Sequence, residues 1–274
     1  MIRSFSVVAT HEVWKELAIM VFTLRRFHDQ PIYILCDSGV KEKLEGFNFS
    51  EVVFDVDADP KHLVETTYNE DTIRNNYHRP DCIAKKMDCL ERATLLFGNT
   101  LFLDADIVVV DALDDITHPV MVSPHYHFND PRDNKTTYGA YNAGYLFNSE
   151  PDLPQMWRDI YNRRSKFFEQ EGMVYFHEKF DVGKFPTSHN VGFWRYPVVP
   201  GVGLLVGDDH VPIVKSFHAH LTEDLFDRAD EGLRRVYEHM LKFVMDYLKE
   251  RQPKSYQFVK GLHMSWEELI LRGL

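Results

Sequence analysis

Two carboxylates with one residue between them, Asp104 and Asp106, follow directly on the apolar run Leu101-Phe102-Leu103. That run has no polar alternation, which suits a strand buried on both faces of a sheet. In extended backbone, residues two apart point to one side, so both carboxylates reach a single point beyond the strand's C-terminal end. In open α/β sheets that edge is where ligands bind. Two unpaired carboxylates so close repel, and one is driven to take up a proton. A divalent cation removes the conflict, and carboxylate oxygens suit Mg²⁺ or Mn²⁺. The pair therefore points to a metal site that holds a phosphorylated ligand. The ordinary alternative is an Asp-x-Asp that opens an exposed turn. The apolar runs on both sides, Leu101–Leu103 and Ile107–Val110, argue against it. An EF-hand loop fails, because Val108 and Val109 stand where a further polar ligand and a glycine are needed.

Composition narrows the partners. The chain has 274 residues and a formal net charge of −11, which argues against non-specific nucleic-acid binding and against docking on anionic membranes. An anionic ligand must then rely on a local metal, backbone N–H groups or a few chosen cations. No stretch approaches the roughly 20 apolar residues of a membrane span. The three cysteines, Cys36, Cys82 and Cys89, form no metal-like Cys-x-x-Cys, and Cys36 ends an apolar run as a core thiol does. The expectation is a reduced, cytoplasmic protein.

The elements that must position the carboxylates follow from periodicity. Phe5–Ala9 is expected as a first strand, with Thr10 as helix N-cap for Trp14–Arg25. Ile32–Cys36 and Val52–Phe54 are two more strands, separated by a short helix at Val40–Leu44. Strand, helix, strand, helix, strand is the order of a doubly wound parallel sheet. After a polar stretch, Asp57–Arg79, a helix runs from Pro80 to about Phe97, where Gly98-Asn99 stops it and the chain enters the central strand. Met121–Pro124 and Ala143–Phe147 are extended, His125–Tyr138 is a candidate active-site loop, and Asp152–Phe168 is an amphipathic helix. Gly172–Gly207 suits loops over a sheet, Val211–His218 a late strand, Leu233–Leu248 a long helix, and Ser265–Arg272 a further turn or two. With no repeat or linker, one continuous domain over 1–274 is expected, with a helical segment at about 223–274 packed on it.

Five stretches resemble the metal-dependent nucleotide-sugar glycosyltransferases of the GT-A fold, the glycogenin-like family eight in particular. They are Val7-Val-Ala-Thr10, the helix carrying Lys86, Leu103-Asp-Ala-Asp106, Tyr141-Asn-Ala-Gly144 and Ser216-Phe-His-Ala-His220, in the family's order. The resemblance implies an α/β fold with a Rossmann-like, open, mostly parallel sheet flanked by helices. It implies a hexosyltransferase that binds a UDP-sugar through Mn²⁺ or Mg²⁺, retains anomeric configuration, and serves an acceptor that is a glycan, a lipid-linked sugar or a protein. By the same resemblance Asp104, Asp106 and His218 hold the metal. Ala9, Thr10, Lys86, Ala105, Asn142, Ala143 and Gly144 border the donor, with Lys85 an alternative to Lys86 near the phosphates. Thr10 suits a plain helix cap equally well. His218 and His220 share a strand face, and His218 is the better match to the family's single histidine ligand. The family also carries an acidic residue and a glutamine at the sugar hydroxyls. No Asp-Gln pair occurs here, and the nearest acidic candidates are Asp181 and Glu178; Asp181 and Asn142 are the expected catalytic positions.

Two other readings stay open at this stage. A haloacid-dehalogenase-type phosphohydrolase also ends a strand with Asp-x-Asp, although its motif usually follows the first strand and continues in Thr or Gly, where this chain has Ile107-Val108. The second is a non-catalytic nucleotide-sugar or glycan-binding protein on the same fold.

Overall fold

The computed structural model describes residues 1–57, 80–125, 140–164, 169–192, 198–199, 203–204, 214–219 and 231–262. Its strands are β1 (Phe5–Ala9), β2 (Ile32–Cys36), β3 (Val52–Val56), β4 (Thr100–Leu103), β5 (Ile107–Val109), β6 (Val120–Pro124), β7 (Tyr141–Asn148), β8 (Val182–Lys184), β9 (Val191–Gly192), β10 (Val198–Val199), β11 (Gly203–Leu204) and β12 (Ser216–His218). The helices are α1 (Trp14–Leu24), α2 (Ser38–Glu45), α3 (Pro80–Phe97), α4 (Leu153–Arg164), α5 (Glu231–Arg251) and α6 (Pro253–Leu262). Short 3₁₀ segments cover His11–Val13 and Glu169–Glu178. The chain groups into two units. One takes Met1–Trp14, Asp29–Ala105 and Asp114–Thr187, the other Lys15–His28, Asp106–Leu113 and Ser188–Leu274.

The first unit is built on a seven-stranded sheet in the order β3-β2-β1-β4-β7-β6-β8. Pairing is parallel from β3 through β4 and between β6 and β8, and antiparallel at β4–β7 and β7–β6. The expected mixed α/β, mostly parallel, Rossmann-like sheet is thus present. β2 is buried at every position and β4 likewise, as runs without polar alternation require. α3 lays Met87, Leu90 and Ala93 into a core shared with Phe102, Leu146, Trp157 and Phe176. Pro80 stands at its first position, where the missing N–H costs nothing. Gly98 ends it with φ +84°, its N–H bonded to the Thr94 carbonyl at 2.8 Å, which is the left-handed helix stop that glycine makes easily. In α4, buried Trp157 donates its indole N–H to the Glu169 carbonyl at 2.9 Å, and so ties the following 3₁₀ segment to the helix.

The second unit carries a three-stranded sheet, β5-β12-β9, with β12 antiparallel to β5 and parallel to β9. Val108, Phe217, Leu241, Val244, Leu248 and Val259 make its core with α5 and α6. β10 and β11 form a separate antiparallel pair. No helix among the described residues is long and apolar enough to cross a membrane.

Two elements differ from the periodicity. The segment Glu169–Glu178 is 3₁₀ helix where loops were expected from Gly172 onward, and α6 follows α5 after a single residue, Gln252. Most of Asp57–Arg79 and of His125–Tyr138, the end of the expected helix to Phe168, the start of the strand from Val211, and Ser265–Arg272 lie outside the described residues.

Candidate functional site

β4 delivers Asp104 to the C-terminal edge of the first unit's sheet. Leu103 pairs with Tyr145 across the β4–β7 ladder, and the Asp104 N–H continues the ladder by donating to the Gly144 carbonyl at 2.9 Å. Gly144 is held in turn, its N–H bonded to Asn142 Oδ1 at 3.0 Å. The Asp-Ala-Asp and Asn-Ala-Gly stretches are therefore one hydrogen-bonded assembly. The Ala143 N–H faces Gln170 Oε1 at 3.4 Å.

The Asp104 carboxylate meets Lys86 Nζ at 2.9 Å, and the same ammonium lies 3.3 Å from Glu169 Oε1. Burial disfavours the Lys86 charge, but Asp104 and Glu169 outweigh burial and hold its pKa above the ordinary lysine value. Lys85 turns elsewhere, to Asp57 Oδ2 at 2.6 Å. It lines a cleft with Val8, Ala9, Thr10, Leu35, Cys36, Asp37 and Asp57 at the C-terminal ends of β1 and β2. Thr10 has extended backbone before the first 3₁₀ turn, yet its side chain makes no capping hydrogen bond.

Asp106 enters through the β5–β12 ladder. His218 pairs with Ile107, and the Asp106 carbonyl accepts the Ala219 N–H at 3.0 Å. This register sets His218 Nε2 3.1 Å from Asp106 Oδ1, with both side chains at least nine-tenths buried. On its other side, His218 Nδ1 lies 2.8 Å from Asn190 Oδ1. Asp104, Asp106 and His218 each offer one ligand atom, and those atoms all lie within 4.8 Å of one another.

The remaining expected positions are placed differently. Asp181 is exposed and directly precedes β8, whose first residue pairs with Val120, itself opposite Asn148. That is the end of the sheet away from Asp104, which lies beside Gly144. Glu178 bonds exposed Arg164 at 3.1 Å. The acidic residue that the structure brings to Asp104 and Lys86 is Glu169, followed by Gln170 beside Ala143. Its sequence signal was an acidic–glutamine pair with Glu in place of Asp. Asn190 had no signal of its own. His220 lies outside the described residues.

No protein-family model and no curated protein matches this sequence. Solved structures do match its fold. A galactosyltransferase LgtC bound to donor and acceptor sugar analogues superposes with a TM-score of 0.54 at 13% identity, covering 86% of this chain and 95% of that one. An active-site mutant of LgtC gives 0.55 at 15% identity over 86% of this chain and 94% of that chain. The glycosyltransferase GlyE of Streptococcus pneumoniae TIGR4 gives 0.51 at 12% identity, over 91% of this chain and 64% of that chain. The chain has a GT-A-like glycosyltransferase fold.

In this GT-A-like chain the donor set also fits a divalent metal on chemical grounds. Two carboxylates and an imidazole suit Mn²⁺, a borderline ion, and carboxylate oxygens suit Mg²⁺. Each side of the set has a polar neighbour, Lys86 at Asp104 and Asn190 at His218, as ligands of a metal commonly have.

Proposed function

We propose that the chain is a metal-dependent hexosyltransferase that moves a sugar from a uridine diphosphate donor to an acceptor, with retention of configuration. The observation that carries this reading is the convergence of Asp104, Asp106 and His218 in a chain with a GT-A-like fold. Mn²⁺ or Mg²⁺ held by these side chains would supply Lewis acidity against the charge of the departing diphosphate.

The chain's own residues perform the rest. Lys86 orients the Asp104 carboxylate and adds one fixed positive charge beside it. Ala9 and Thr10, in the cleft with Asp37, Asp57 and Lys85, flank the uracil base. Asn142 shapes the backbone at Gly144 and through it the Asp104 N–H, so Asn142, Ala143 and Gly144 border the sugar. Glu169 and Gln170, on the side of Lys86 and Ala143, are the groups that meet the sugar hydroxyls. They take the place that the sequence offered to Asp181.

The test is release of nucleoside diphosphate from a panel of uridine, guanosine and cytidine diphosphate sugars, with and without Mn²⁺. Turnover is expected with a uridine donor only, abolished by chelation and by Asp104→Asn or Asp106→Asn. Metal-dependent turnover of a guanosine or cytidine donor instead would refute the donor assignment, and chelator-resistant turnover would refute the metal site.

A further inference from the structure

His218 presents its two ring nitrogens to two oxygens. Nε2 lies 3.1 Å from a carboxylate oxygen of Asp106 and Nδ1 lies 2.8 Å from Asn190 Oδ1. Both oxygens accept, while a neutral imidazole has a single N–H to donate. When Nδ1–H is given to Asn190, Nε2 turns its lone pair toward Asp106. Two electron-rich atoms at that separation repel unless a cation, a proton or a metal ion, lies between them. Asn190 thereby selects which nitrogen is left to bind one.

Asn190 is fixed from both ends. Its φ of +54° lies in the left-handed region, which asparagine adopts more readily than most residues. Its N–H donates to Ser216 Oγ at 2.8 Å. Ser216 and His218 stand two apart on β12 and share a face, so one holds the Asn190 backbone and the other meets its side chain. Val191 and Gly192, directly after it, pair with Phe217 and His218. Asn190 and Ser216 are fully buried, and His218 is 4% exposed. An amide oxygen enclosed in this way needs its hydrogen-bond partner, and the ring of His218 supplies it.

We propose that Asn190 is a positioning residue for the metal ligand His218, accepting its Nδ1–H and so fixing the tautomer and ring angle that aim Nε2 toward Asp106. This rests on the metal reading given above.

The experiment is Mn²⁺ titration by calorimetry, without nucleotide or donor, on the wild type and on His218→Ala, Asn190→Gly and Asn190→Asp. Glycine keeps the left-handed backbone and removes the acceptor, whereas aspartate keeps both. Asn190→Gly is expected to weaken Mn²⁺ binding by about 10- to 100-fold, as loss of an outer-sphere partner does. Asn190→Asp is expected to bind at least as tightly as wild type, because a carboxylate acceptor makes the ring a better ligand. Melting temperatures of the metal-free variants separate positioning from scaffolding, since a purely structural Asn190 would lower stability and leave the affinity of the folded protein unchanged. Wild-type affinity in Asn190→Gly, with affinity lost in His218→Ala, overturns the role of Asn190 and leaves the metal reading standing. About a tenfold loss in Asn190→Asp overturns it too, even should Asn190→Gly fail to fold. Undiminished binding in His218→Ala removes His218 from the metal site, and Asn190 with it.

Discussion

Lys85 and Lys86 are neighbours in sequence with separate tasks. Successive helical residues are rotated by about 100°, so Lys85 reaches Asp57 at 2.6 Å and Lys86 reaches Asp104 at 2.9 Å. The sequence offered both lysines, and only the phase of α3 chooses between them. Glu169 escaped for a related reason, since its proximity to Asp104 depends on how α4 and the 3₁₀ segment return to the sheet. Asp104 and Asp106 were legible as an Asp-x-Asp directly after an apolar run, and His218 through the resemblance. The continuous strand expected through the pair is instead a turn between β4 and β5, so the period of two along a strand is not what brings the two carboxylates together. Removing the Lys86 ammonium leaves two carboxylates facing each other. Lys86→Met should therefore cost about 2–4 kcal/mol, below the fully buried case because Lys86 and Asp104 keep some solvent contact. Glu169→Gln in that background should recover part of the loss, as urea midpoints in a double-mutant cycle would show. No recovery would assign the contribution to packing of Lys86 over the Phe102 ring, 5.9 Å from its centroid. The thiols give a second residue-scale expectation. Burial pushes both the Cys36 and the Cys89 thiol up to about 12, so the reactive thiolate is scarce at pH 8. Peptide mapping after iodoacetamide treatment at that pH should find both unmodified in the native protein and alkylated after unfolding. Rapid native labelling of Cys89 would contradict its enclosure.

At the scale of elements, strands and helices with strong period were legible and the short or thinly packed ones were not. β1, β2, α3 and β4 each carry an unambiguous apolar pattern. α6 buries only Ser255 and Val259 fully, so its stripe is too narrow to announce itself, and the 3₁₀ segment has no period-two or 3.6-residue repeat to find. The turn after α3 was legible because Gly98 does something few residues do at φ +84°. Gly98→Ala should cost about 1–2 kcal/mol from that backbone conformation. The nearest atom to a new Cβ, Arg3 Nη1 at 2.9 Å, is the end of a flexible side chain and moves aside. Gly98→Asn should cost less, and equal losses for the two variants would point to crowding rather than backbone strain. A polar clasp joins β2, β3 and α3 where Asp55 accepts from Tyr33 and, at 2.8 Å, from Arg92. Burial pushes the Asp55 pKa up, but those two donors outweigh it and hold the group below the usual carboxylate range. Its folded pKa is thus lower than its unfolded one. The stability it contributes is complete above the unfolded value of about 3.9 and is lost as pH falls through the folded value. Asp55→Asn should flatten the acid limb of stability against pH in that window and leave its slope above about pH 5 unchanged.

At the scale of the whole molecule, the net charge of −11 bears on the order of events at the site. A nucleoside diphosphate sugar is itself an anion, so the chain's field opposes its approach, while the same field draws in a divalent cation. Locally, Asp104, Asp106 and Glu169 add three carboxylates, two of them paired with the ammonium of Lys86. Cation and donor should therefore reinforce one another, and by linkage each raises the affinity of the other by the same factor. Salt separates the two contributions, because screening weakens attraction and repulsion alike. Raising ionic strength from about 0.01 M to 0.1 M, which shortens the screening length from about 30 Å to 10 Å, should weaken Mn²⁺ binding and strengthen metal-free UDP binding. Thermal unfolding reads the coupled state directly. With Mn²⁺ and UDP each near 100 times its dissociation constant, each ligand adds about 2.7 kcal/mol before any coupling, about 5 kcal/mol together, or about 10–20 °C for a chain of this size. Asp104→Asn and Asp106→Asn should abolish the Mn²⁺-dependent part of that shift, and Asp181→Asn should keep it, because Asp181 stands at the other end of the sheet. Salt slopes of the same sign for Mn²⁺ and UDP would remove the field of the whole chain from the account and leave only the contacts at Asp104, Asp106 and His218.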